Sequence, residues 1–187
     1  MRAKRLFVSL ELPGPIARAL TDLDPHLRGV RWLRPEQIHL TLAFFGNVEA
    51  ETETRLRNAL ETIHFKAFFL PLQELGTFPA HGRPKVFWVG VGRGHPILFQ
   101  LHKKVADAAL AAGLEPDLRP WRPHITLARC QDVSAQTILP LLHRHDEFDG
   151  GLVPIHQFHL KSSRLTPADS IYTTELTVQA SDATQPR

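Results

Sequence analysis

His39-Leu40-Thr41-Leu42-Ala43 recurs 85 positions later (124 − 39) as His124-Ile125-Thr126-Leu127-Ala128. Each copy follows a tryptophan and a proline, Trp32 and Pro35 before the first and Trp121 and Pro123 before the second. One His-x-Thr is a weak signal, but two, each within an apolar run and half a chain apart, point to a duplicated architecture. On a strand, residues i and i+2 share a face. His39 and Thr41 therefore point one way while Leu40 and Leu42 point to a core, and His124 and Thr126 repeat the pattern against Ile125 and Leu127. A pseudo-two-fold relation between the halves would set the two His-Thr pairs facing each other across a cleft.

Outward from these copies, the chain reads as alternating strands and helices. Strands are expected at Arg5–Leu10, Ile38–Phe45, Phe65–Leu75, Lys85–Val91, His124–Ala128, Leu152–Ser162 and Ile171–Val178. Helices are expected from Pro13 to Leu27 (apolar stripe Ile16, Leu20, Leu23, Leu27, with Gly29 as the stop), over Ala50–Ile63, His95–Ala112 and Ser134–Leu142. Gly76–Pro84 reads as a turn-rich link. Short links between neighbouring strands favour an α+β layering with antiparallel or mixed sheets over a doubly wound parallel sheet. At 187 residues, one domain over 1–180 is expected, with a frayed polar tail at 181–187.

Composition narrows the function without deciding it. The net charge of +3 tolerates an anionic partner but does not demand one. The arginines fall in small groups, Arg28–Arg34, Arg83–Lys85 and Arg119–Arg129, which suit solvated surface or an RNA backbone. No apolar run approaches the roughly 20 residues of a membrane span, and the opening stretch to Pro15 reads as a first strand, not a signal peptide. Cys130 is the only cysteine, which fits a reducing cytoplasm and excludes an intramolecular disulfide. Neither GxGxxG nor GxxxxGK[ST] occurs, which argues against a dinucleotide enzyme or a nucleotide-dependent kinase. No cysteine or carboxylate stands at ligand spacing from the histidines, so no metal and no cofactor are expected.

Two imidazoles and two hydroxyls around one cleft suit in-line displacement at phosphorus. A neutral imidazole can take a proton from water while an imidazolium gives one to the departing oxygen, because the ordinary histidine pKa of about 6.5 allows both forms. Thr41 and Thr126 can donate to the non-bridging oxygens. Phe45 shares the parity of His39 and could stack on a base, or equally fill core space. Arg129 falls on the wrong parity from His124, so reaching the cleft would require a bulge after Thr126.

These motifs resemble the 2H phosphoesterase superfamily, and within it the RNA 2′,3′-cyclic phosphodiesterases once named 2′-5′ RNA ligases. Arg5-Leu-Phe-Val8, Gly76-Thr-Phe-Pro79, Pro84-Lys-Val-Phe-Trp88, Ser163-Arg-Leu165 and Tyr172-Thr173 also match, in the family's order. The resemblance implies a bilobal α+β fold, with an antiparallel sheet and flanking helices in each lobe and an active-site groove between them. It implies metal-free hydrolysis of an RNA 2′,3′-cyclic phosphate end, or of a cyclic nucleotide, to a 2′-phosphate. His39 is then the proton donor, His124 the acceptor, and Arg129 a contact to phosphate. One enclosed groove per chain needs no partner, so a monomer is expected. The alternatives are a small cyclic phosphate such as that of ADP-ribose, reversible 2′-5′ joining of RNA ends, or an RNA-binding module that has lost the chemistry.

Overall fold

The computed structural model describes residues 3–93, 96–115, 117, 119–166 and 169–181. His95, expected to begin the longest helix, and most of the expected tail lie outside them. Among the described residues the chain forms nine strands, a 3-10 turn and four α-helices. They run β1 (Lys4–Glu11), α1 (Gly14–Thr21), β2 (Val30–Trp32), the turn Pro35–Gln37, β3 (His39–Val48), α2 (Ala50–Glu61), β4 (Phe68–Phe78) and β5 (Val86–Gly90). Then follow α3 (Pro96–Ala111), β6 (His124–Cys130), α4 (Ala135–Arg144), β7 (Asp149–Ile155), β8 (Gln157–Leu165) and β9 (Ser170–Gln179). No described helix is long and apolar enough to cross a membrane.

The strands lie in the order β7-β4-β5-β6-β3-β1-β8-β9, with β2 beside β6. All pairings between these strands are antiparallel. The expected α+β, two-lobed arrangement is present as two four-stranded halves, β7-β4-β5-β6 and β3-β1-β8-β9. They meet through a single registered pair, Leu40 with Ile125, so the lobes share one curled sheet.

The duplication is visible residue by residue. The pairs Phe7–Phe44, Val8–Ala43, Ser9–Thr41, Leu10–Leu40 and Glu11–His39 join β1 to β3. Adding 79 to the first number (86 − 7) and 85 to the second gives Val86–Arg129, Phe87–Ala128, Trp88–Thr126, Val89–Ile125 and Gly90–His124, which is the whole β5–β6 ladder. Over these pairs both ladders skip one residue at the same place, Leu42 in β3 and Leu127 in β6, and β3 skips a further residue, Phe45, beyond the repeated stretch. Each is a bulge that reverses face parity beyond it.

Leu6, Val8, Leu10, Leu40, Leu42, Ile125 and Leu127 are all buried in one core, together with the inward stripes Leu56 and Leu60 of α2 and Leu98, Leu101 and Val105 of α3. Three expected boundaries move. The first helix stops at Thr21 instead of reaching Leu27, because Pro25 has no N–H and pushes Asp24 out of helical backbone; Leu23 and Leu27 still pack on the core from the loop. The expected turn at Gly76 is strand as far as Phe78, with Gly76 opposite Trp88. The single strand expected over Leu152–Ser162 is two, broken at His156, since β7 pairs with β4 on one edge and β8 with β1 in the other lobe.

Candidate active site

The Leu40–Ile125 pair carries both signature motifs to one place. Counting one residue to either side along antiparallel strands sets His39 abreast of Thr126 and Thr41 abreast of His124. The two leucine-type side chains turn into the core, so all four polar side chains emerge on the opposite face. His39 and His124 are then diagonal neighbours, at a separation of roughly 7–8 Å for such positions. All four line one cleft of about 1030 Å³.

Both imidazoles are held in the same way. His39 Nδ1 lies 2.8 Å from the carbonyl of Gln37, and His124 Nδ1 lies 2.7 Å from the carbonyl of Arg122, two residues upstream in each case. A carbonyl only accepts, so Nδ1–H donates and Nε2 remains the free nitrogen. Gln37 is itself buried and clamped: its amide donates to Asp169 at 2.6 Å and to the Ser170 carbonyl at 3.1 Å. Asp169 also pairs with Arg34 at 3.1 Å. Asp169 and Ser170, where β9 begins, are thereby fastened to the segment that orients His39.

Aromatic rings wall each histidine. Phe7 and Tyr172 stand 5.1 and 5.4 Å from the His39 ring, and Phe78 meets His124 edge-on at 4.9 Å. Trp121 donates its indole N–H to the Thr41 carbonyl at 3.3 Å, tying the lead-in of the second motif to the strand of the first. Burial pushes His39 down to about 4, opposed by its bond to the Gln37 carbonyl. In the free protein this imidazole is therefore neutral at neutral pH. Burial pushes the Cys130 thiol up, which keeps it protonated and poorly nucleophilic.

The bulges decide which other side chains reach the cleft. Beyond Leu127 the reversed parity brings Arg129 onto the cleft face, exposed and lining it. The same device in β3 corrects the base-contact alternative for Phe45 and agrees with the core-filling one. Past Leu42 it is Phe44, 48 % exposed, that lines the cleft, while Phe45 packs against the core. The Arg5 guanidinium covers one side of the Phe44 ring at 4.8 Å. Among the described residues no group of three or more His, Cys, Asp or Glu side chains could hold a metal ion.

The model of LigT-like phosphoesterases matches the chain twice, over residues 10–88 and 93–172, one His-x-Thr copy in each match. The chain belongs to the LigT-like phosphoesterase family. The LigT-like chain is 32% identical over 171 residues to a protein of Aeropyrum pernix named RNA 2′,3′-cyclic phosphodiesterase, spanning 91% of this chain and 97% of that one. A protein of Aquifex aeolicus with the same name is 31% identical over 171 residues, spanning 89% and 90%. The crystal structure of E. coli LigT in apo form gives a TM-score of 0.81 at 25% identity, covering 97% of this chain and 100% of LigT. That of E. coli LigT complexed with 3′-AMP gives 0.79 at 25% identity, covering 96% and 99%. The resemblance read from the two motifs is thus borne out, and the chain is a phosphoesterase of the 2H type.

Proposed function

We propose that this LigT-like phosphoesterase opens the 2′,3′-cyclic phosphate at the end of an RNA to a 2′-phosphate, using His39 and His124 as an acid–base pair. The observation that carries the reading is the Leu40–Ile125 pair, which sets two tautomer-fixed imidazoles and two threonines on one face. The names of the relatives supply the substrate class.

In the reaction, water attacks phosphorus, a new P–O bond forms and the bond to the ribose 3′ oxygen breaks. His124 Nε2 takes the proton that water loses. His39 gives a proton to the departing 3′ oxygen, and the 2′ ester is retained. The hydroxyls of Thr41 and Thr126 donate to the non-bridging oxygens, where charge accumulates in the transition state. His39 enters uncharged, so its proton arrives as the anionic phosphate binds; negative charge beside a histidine favours the imidazolium. Arg129 meets a phosphate oxygen or the preceding phosphate of the strand, and Phe44 takes the base-stacking role that was one of two readings for Phe45.

No metal or nucleotide takes part, and one chain holds the whole site, so a monomer suffices. A single cysteine suits work in a reducing cytoplasm. The test is incubation with a short RNA ending in a 2′,3′-cyclic phosphate, in EDTA, with the product phosphate position read by NMR or mass spectrometry. A 2′-phosphate should form at the same rate with and without the chelator. His39→Ala and His124→Ala should each lower turnover by roughly 10²–10⁴-fold. Loss of turnover on chelation, or an unchanged rate in either variant, defeats the reading.

A further inference from the structure

The symmetry that superimposes the two ladders breaks down chemically beside His39. The position abreast of His39 on β1 is Glu11, and its counterpart abreast of His124 on β5 is Gly90. Ser9 corresponds in the same way to Trp88. One strand further out, the registers match His159 and Lys161 of β8 with Gly76 and Phe78 of β4. At these matched positions the His124 lobe carries glycine and aromatic residues, whereas the His39 lobe carries Ser9 and the ionisable Glu11, His159 and Lys161.

These groups are joined. Lys161, 6 % exposed, donates from Nζ to Glu11 Oε1. His159, 4 % exposed, stands 3.5 Å from Glu11 Oε2. Its Nδ1–H donates to the Thr177 hydroxyl at 2.9 Å, and its Nε2 accepts from the Gln157 amide at 3.2 Å, so it is neutral. Ser9 Oγ is buried on the same face with no hydrogen-bond partner. Burying an ammonium is costly even with a partner. The fold does not require it, because the other lobe fills the equivalent position with Phe78.

We propose that the Glu11–Lys161 pair is a positioning element that sets the protonation of His39 and so gives two symmetry-related imidazoles different roles in the reaction. This rests on the reading of His39 and His124 as the acid–base pair. The ionisable groups around His39 are Glu11 from β1, Lys161 and His159 from β8, His124 from β6 and Tyr172 from β9, with Arg5, Arg31, Arg129, Asp169 and the Cys130 thiol lining the same cleft. Of these, Lys161 disfavours the imidazolium of His39 and Glu11 favours it. Removing one member must therefore move His39 in the direction opposite to removing the other.

The experiment is the NMR titration of the His39 ring, with the pH profile of kcat/KM, in Lys161→Met, Glu11→Gln and the double variant. Lys161→Met should move the His39 titration, and the limb of the profile it governs, to higher pH. Glu11→Gln should move both to lower pH, and the double variant should return towards the parent. Titrations that stay in place in both single variants, or that move the same way, overturn the proposal. If Glu11→Gln fails to fold because it strands a buried ammonium, Lys161→Met and the double variant carry the test, since neither buries that charge. A purely structural pair would lower stability without moving either titration. Parent-like turnover in His39→Ala would instead sink the acid–base reading, whatever Lys161→Met does.

Discussion

His39→Asn is the substitution that reports most cleanly on the environment of the first imidazole. The asparagine amide can still donate to the Gln37 carbonyl, as Nδ1–H does now at 2.8 Å, but it does not titrate. In the folded protein His39 titrates at about 4, against 6.5 for an ordinary histidine. Below pH 6.5 the unfolded chain therefore binds a proton that the folded chain refuses. Stability from this group is complete above pH 6.5 and is lost as the pH falls through 4. The linkage relation gives a loss of about 2 kcal/mol between pH 8 and pH 5, and about 3 kcal/mol by pH 4. These are upper figures, because the ring edge faces the open cleft. Against a typical total of roughly 5–15 kcal/mol, such a loss is readily measured. His102 and His159 are also shifted downward by burial, so the parent alone would not isolate His39. The assay is urea unfolding of parent and variant at pH 8, 6, 5 and 4, taking the difference at each pH. The difference should shift in favour of the variant by about 2 kcal/mol between pH 8 and pH 5. Parallel loss of stability in the two proteins would refute the neutral, buried imidazole.

Phe44→Ala should raise KM roughly 5- to 150-fold for an oligonucleotide, the worth of about 1–3 kcal/mol for one stacked base, with kcat little changed; steady-state kinetics read this directly. Phe45→Ala should leave KM alone and lower stability by about 1–3 kcal/mol in denaturant unfolding, since that ring packs on the core. Gly76→Ala should lower both Tm and kcat, because the new Cβ would sit 2.3 Å from the Trp88 ring, which packs at 5.2 Å on the Phe78 that flanks His124. An unchanged Tm there would mean that the wall behind His124 is looser than drawn.

The sheet's centre was legible because it is written in period two. Leu40, Leu42, Ile125 and Leu127 alternate with His39, Thr41, His124 and Thr126, and only one strand orientation buries the first set. What escaped the sequence lies where local patterning is interrupted by geometry. A one-residue bulge leaves no signature in residue type, so alternation from His39 pointed to Phe45 and away from Phe44. Arg129 could be anticipated only conditionally, as needing the irregularity that Leu127 provides. The Pro25 break in the first helical stripe was, by contrast, written in the chain, and the periodicity of Leu23 and Leu27 masked it. The Glu11–Lys161–His159 cluster joins strands far apart in sequence, and its only local trace is charge in otherwise apolar runs. Once Glu11 and Gly90 are seen at equivalent positions, that trace becomes informative.

The most direct measurement is a crystal structure of the protein with phosphate or orthovanadate in the cleft. Two-histidine chemistry predicts Nε2 of His39 and Nε2 of His124 each at about 2.6–3.2 Å from oxygens of the same anion, with the Thr41 and Thr126 hydroxyls on its remaining oxygens. An anion seated on one imidazole alone, with the other beyond reach of it, contradicts the mechanism.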